Sequence, residues 1–192
     1  MSRKIVKKAL GSFCTFRYGK MPNKAKVSND NSLYPIYSGY RIVGYYDEYN
    51  IEKDKLIIVA RGVGGTGDIK LTPAKCYLTN LSIAIDVDET FALNQYLYYF
   101  FQITNLRYLD SGSAQSQITI SDLQNVEVLL PPLNVQENII IILRMFDKKI
   151  ANNTAINHHL SGSMPEPETD SSPDIKRGIK ESRVALRLQL SA

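Results

Sequence analysis

The chain has 192 residues, 44% hydrophobic and 22% charged, with a formal net charge of +4. That length buries one good core with an appended helical element, and the composition is ordinary for a globular protein. Its two cysteines, Cys14 and Cys76, match no metal-ligand spacing and form no disulfide framework, so a reducing cytoplasm is the expected location. Residues 1 to 20 are too polar for a secretory segment. The apolar run Ile139 to Leu143 has only five residues, against the ~20 that span a bilayer, so no membrane contact is expected.

Charge is unevenly placed. Before Asp30 stand eight basic residues (Arg3, Lys4, Lys7, Lys8, Arg17, Lys20, Lys24 and Lys26) and no acid. Such clustering suits phosphate contacts, which give sequence-independent, salt-sensitive affinity. A solvated, partly frayed terminus has the same look. Through the first 120 residues short β-branched or aromatic runs alternate with turn residues. Phe13 to Tyr18, Tyr34 to Tyr37, Arg41 to Tyr46, Lys55 to Ala60, Cys76 to Thr79 and Leu81 to Val87 read as strands. Six of the twelve tyrosines fall between Tyr34 and Tyr49, around Arg41 and a Ser38-Gly39 turn. Tyrosine suits a recognition surface, and it equally covers a half-exposed sheet.

The loop ARGVGGTGDIK satisfies G-x-G-x-x-G at Gly62, Gly64 and Gly67, and Asp86 follows roughly twenty residues on, as in a dinucleotide fingerprint. That match is misleading. The fingerprint needs a helix directly after the glycines to hold the pyrophosphate, whereas DIKLTPAKCYLT follows, with Pro73 and a strand-like composition. A hairpin or tight bend is expected instead, donor-rich and flanked by Arg61 and Lys70. Both residues suit phosphate, and arginine also reads guanine.

Leu93 to Leu106 has a helical apolar face (Leu93, Leu97, Phe100, Phe101) with Asn94 as its expected cap. Next comes the polar loop Ser111 to Gln117, SGSAQSQ; glutamine pairs naturally with adenine, serine with base edges or phosphate, and an ordinary surface connection is the plainer reading. A helical turn at Ser121 to Asn125 and a strand at Val126 to Leu130 lead to Pro131-Pro132, which exclude a helix before them. Asn134 with Glu137 forms a capping-box pattern. Ile139, Leu143, Phe146, Ile150, Asn153, Asn157 and Leu160 then recur in steps of four and three, a heptad seam whose two asparagines would fix register. Such a helix packs on its own domain or pairs with another helix. Residues 161–174 have linker composition, and 175–190 keep no steady apolar period. Adjacent His158 and His159 lack the spacing of four that a helical metal pair wants. No amino-methyltransferase, nuclease or G-x-S-x-G motif is present, so no catalytic residue and no metal ligand is expected.

Taken together, residues 5 to 160 resemble one half of a specificity subunit of type I restriction–modification systems. The matching stretches are YPIYSGYRIVGYYDEYN, LIIVARGVGGTGDI, NLSIAID, SGSAQSQITISDLQNVEVLLPPLNVQENI and the helix end NNTAINHHL. The resemblance implies an α+β fold: a target recognition domain (1–132) with a mixed, strand-rich sheet and one or two short helices, then a long coiled-coil-type spacer helix (133–160), then a linker and atypical tail (161–192). It implies a non-enzymatic subunit that reads one half of a bipartite target on double-stranded DNA. Tyr37, Ser38, Gly39, Tyr40, Arg61, Gly64, Thr66, Ser113, Gln115 and Gln117 lie on stretches that look DNA-facing, and Lys20, Arg41 and Lys70 supply positive charge beside them. The seam residues Ile139, Leu143, Phe146, Ile150, Asn153, Asn157 and Leu160 would pair helices and dock modification (methyltransferase) subunits, with a restriction/motor subunit joining through the complex. S-adenosylmethionine, ATP and Mg are expected only on those partners. A full-length subunit of this family has two such halves. This chain resembles either a half-subunit that pairs as a homodimer, or a truncated or silent cassette acting only through its helix.

Overall fold

The computed structural model describes residues 4–39, 41–62, 65–110 and 117–161, with side chains described as far as Asn157. In chain order the elements are β1 (Val6–Ala9), β2 (Cys14–Tyr18), β3 (Tyr34–Ser38), β4 (Arg41–Tyr46), β5 (Lys55–Val59), β6 (Ile69–Thr72), β7 (Tyr77–Leu78), β8 (Ser82–Val87), α1 (Asn94–Thr104), α2 (Ile120–Gln124), β9 (Glu127–Leu130) and α3 (Leu133–Ser161). The chain divides into two units, Met1–Leu133 and Asn134–Ala192.

In the first unit the strands form three sheets. One is four-stranded and antiparallel in the order β2-β8-β5-β6; one is three-stranded in the order β4-β3-β7, with β3 and β7 parallel; and β1 pairs antiparallel with β9. The strand-rich α+β expectation is met, with the strands shared among three sheets. Residues 56–60, LIIVA, are almost wholly buried because β5 lies inside its sheet and is covered on both faces. Ile57 joins Ala84, Cys76, Leu78 and Ile51 in one apolar cluster, with Tyr37 packed on its edge. Helix α1 packs on β5 and β6, and its Tyr96, Leu97, Phe100 and Phe101 are buried. The glycine loop joins β5 to an antiparallel β6, so no helix follows it and the nucleotide fingerprint is excluded by geometry.

Several local expectations are corrected. Asn94 does not cap α1: the cap position is Leu93, without a side-chain cap bond, and Asn94 is the first helical residue. The cap bonds sit on α2 instead, where Thr119 and Asp122 form a capping box. Helix α3 starts at Leu133, which puts Asn134 inside the first turn rather than at the cap; a proline lacking N–H is tolerated just ahead of a helix, so winding starts at once after Pro132. Strands β1 and β6 had no clear signal in the sequence.

The second unit is described through α3 alone. Its 29 residues extend about 44 Å at about 1.5 Å per residue. Gln136, Ile139, Ile140 and Leu143 are buried, while Phe146 is 46% and Ile156 54% exposed. Of the expected seam, Ile139 and Leu143 are buried, Ile150 is half-buried, and Asn153 and Asn157 face outward. The Leu160 side chain and residues 162–192 lie outside the described residues. No described helix is long and apolar enough to cross a membrane.

Candidate nucleic-acid interface

Three segments far apart in sequence meet where β5 ends. The backbone N–H groups of Ala60 and Arg61 both donate to the Leu81 carbonyl, at 2.9 and 3.1 Å, in the turn between β7 and β8. On the other side Ile118 N–H donates to the Ala60 carbonyl at 2.9 Å, and Arg61 and Gln117 form an antiparallel bridge. Asp110 Oδ1 accepts from Gln117 N–H at 3.2 Å. The β3–β4 turn completes the group: a Cβ placed on Gly39 would lie 3.6 Å from Val59 Cγ1 and 4.0 Å from the Arg61 carbonyl oxygen. The last residue of β2 contributes a ring, with the Arg61 guanidinium carbon 5.7 Å from the centre of Tyr18. Lys20, two residues on, is anchored by its N–H to the Leu78 carbonyl at 2.9 Å and leaves its side chain exposed.

The structure therefore brings together Lys20, Gly39, Arg61 and Gln117 from the expected set, with Arg41 exposed across from Ser38 at the start of β4. Tyr18 was not singled out in the sequence, since it stands in no motif and meets the distant Arg61 only through the fold. Two expected residues have partners within the fold. Tyr37 is half-buried against the core cluster, and burial raises its phenol above the ordinary value. Thr66 is buried and its hydroxyl donates to the Gly62 carbonyl at 2.9 Å. Ser38 is half-buried in β3, and Lys70 is half-buried on edge strand β6 opposite Ile57, down the hairpin from the loop. Tyr40, Gly64, Ser113 and Gln115 lie outside the described residues.

The other tyrosines are mainly structural. Tyr46 packs on Tyr77 at 4.8 Å between ring centres, and Tyr34 meets Tyr49 edge-on at 4.9 Å. Tyr46 Oη accepts from Asn23 N–H at 3.3 Å, tying the 20–27 segment to the sheet.

Much of the basic N-terminal charge is answered within the chain. Lys7 pairs with Glu127 at 2.5 Å, Lys26 with Asp47 at 3.2 Å and Glu48 at 3.6 Å, and Arg17 with Asp86 at 3.7 Å. Lys8 lies 4.5 Å above the Phe91 ring. Asp86 also takes Lys55. Arg107, which flanks the glycine loop, is tied to Asp68 at 2.9 Å. Arg61 differs: among the described residues no acid pairs with it and its Nε has no acceptor.

The described residues contain no group of three His, Cys, Asp or Glu side chains arranged to hold a metal ion. Both cysteines are buried free thiols, and burial, aided by Asp86 and Asp88, pushes Cys14 up to about 12.

The chain thus combines a strand-rich α+β unit with a long helix that follows it in sequence. Residues 3–161 match the family model described as type I restriction modification DNA specificity domain, and the chain belongs to that family. Its members are specificity components rather than catalysts. A putative type I restriction enzyme specificity subunit from Haemophilus influenzae is 29% identical over 130 residues, covering 68% of this chain and 31% of the relative. The EcoprrI type I restriction enzyme specificity subunit of Escherichia coli is 24% identical over 144 residues, 73% of this chain and 35% of that protein. This chain thus spans about a third of the length of these curated relatives. Among solved structures, the S subunit of a type I restriction–modification system from M. genitalium shares the fold, with a TM-score of 0.70 at 21% identity over 79% of this chain and 41% of that one.

Proposed function

We propose that this chain reads one half of a bipartite sequence in double-stranded DNA for a cytoplasmic type I restriction–modification system. In this reading Arg61 and Gln117 face base edges, while Lys20 and Arg41 hold phosphates. Phosphate contacts position a protein on the duplex, and base contacts specify the sequence. Helix α3 joins a second such helix laterally, in another copy or another part of the assembly, and carries the docking surface for modification subunits. The restriction/motor subunit joins through that complex. Methylation and cleavage, with S-adenosylmethionine, ATP and Mg, reside on those partners. The observation that supports this most directly is the convergence of Tyr18, Lys20, Gly39, Arg61 and Gln117 on one corner, around a guanidinium that no acid pairs among the described residues.

The test is selection from a random-sequence duplex pool by the full chain together with its modification subunit. Enrichment of one bipartite sequence is expected. A folded complex that enriches no sequence overturns the reading. One observation favours a second reading, a helix-mediated assembly protein: Phe146 and Ile156 on α3 are exposed whatever the head does. Sedimentation with the modification subunit separates the two, because that protein would form the complex yet select no DNA.

A further inference from the structure

Five buried side-chain polar atoms have no hydrogen-bond partner among the described residues, and four of them belong to one corner: Arg61 Nε, Thr79 Oγ1, Asn80 Oδ1 and Ser82 Oγ. Residues 79–82 form the turn whose Leu81 carbonyl holds the Arg61 backbone. Buried polar groups are normally satisfied by protein or water, and these four atoms are themselves closed to a ligand; what a ligand with acceptors would meet is the rest of the half-buried Arg61 guanidinium, which no acid neutralises among the described residues. The cation here is restrained without being neutralised. Its backbone is held by Leu81 on one side and by the bridge to Gln117 on the other, and the Tyr18 ring lies under the guanidinium at 5.7 Å. A π face attracts the cation while leaving its N–H donors unused. Arg17 and Arg107 show the contrast, since each has a carboxylate. Directly opposed residues of an antiparallel bridge project to the same side, so Gln117 stands beside Arg61.

Resting on the DNA-reading function proposed above, we infer that Arg61 reads a guanine through its paired N–H donors and that Tyr18 is the positioning residue that holds it. The ligand is the major-groove edge of a G·C pair, whose O6 and N7 acceptors match the arginine fork. Gln117 contacts the neighbouring base pair.

The experiment uses the full chain with its modification subunit and a random-sequence duplex pool, followed by affinity measurements on the selected site and its single-base variants. Wild type is expected to select a guanine whose replacement weakens binding roughly 5- to 150-fold. Arg61→Ala removes every donor of the fork and should abolish that preference at this position alone, and Arg61→Lys, which keeps a donor for guanine, should only weaken it. Gln117→Ala should relax only the adjacent position. Tyr18→Phe should behave as wild type. Tyr18→Met fills similar space without a π face, and should lower the guanine preference while leaving the salt dependence of binding and the melting temperature nearly unchanged; a purely structural tyrosine would instead lower melting and weaken all sequences alike. Retention of the guanine preference in Arg61→Ala overturns the assignment of Arg61, and its retention in Tyr18→Met overturns the role of Tyr18. If wild type enriches a sequence but no guanine responds to Arg61→Ala, this inference fails and the DNA-reading function stands. If wild type enriches nothing, both fail.

Discussion

Thr119 and Asp122 bond reciprocally at the start of α2: the Asp122 carboxylate accepts from Thr119 Oγ1 at 2.6 Å and from its N–H at 2.8 Å. Those bonds, the hydroxyl first, hold the Asp122 carboxyl below its ordinary value of 3.8. A carboxylate lowered by folding stabilises the fold fully above its unfolded value and loses that contribution as pH falls through the folded one. Thr119→Ala should therefore cost about 1 kcal/mol in denaturant unfolding near neutral pH, and the penalty should shrink once the pH falls below the usual carboxylate range. A penalty unchanged in acid would mean that Thr119 acts through packing instead. At Cys14, with its thiol raised to about 12, alkylation in the native state at mildly alkaline pH should be negligible and should become rapid after denaturation. Native labelling at the denatured rate would show that the β2 end opens readily. At this scale Arg61 was legible because it flanks a glycine loop. Tyr18 was not, since a ring supporting a cation 43 residues away leaves no local pattern. Thr66 looked exposed from its glycine-rich surroundings, yet its short side chain turns inward to Gly62.

The central strands and α1 could be read in the sequence because their apolar runs are long enough to show a period or an unbroken block. β1 could not, because VKKA has no apolar alternation and is a strand only through its ladder to β9, more than a hundred residues later. The glycine loop was recognised as a bend, but its clasp was hidden. Gly67 has φ of 91°, and a Cβ there would stand 2.8 Å from Arg107 N and 2.9 Å from its Cα. Gly67→Ala should lower stability by about 1–3 kcal/mol, seen in thermal unfolding, because both the dihedral and the backbone contact resist a side chain. An unchanged melting temperature would show that the loop and the 106–107 segment separate freely.

Across the whole molecule, the basic N-terminal stretch changes meaning once folded. Lys7, Arg17 and Lys26 meet acids from the 47–127 region, and such solvent-exposed pairs add little to stability. They also withdraw positive charge from any ligand. Lys20 remains exposed beside Arg61's corner, so Lys20→Ala should weaken binding to all DNA sequences alike and lower the salt slope by about 1. Binding titrations at several salt concentrations on selected and unrelated duplexes check this. A loss confined to the selected sequence would place Lys20 on a base.

Apolar periodicity, turn residues and the proline pair determined most element identities, the strand-rich head and the long helix, because those patterns act over a few neighbours in the chain. Tertiary structure alone decided which charges cancel, which tyrosines are core, how strands partition into three sheets and that Tyr18 lies under Arg61. Each of these depends on residues tens of positions apart being brought within a few ångströms, and hydrogen bonding, ring packing and charge pairing act only at that range.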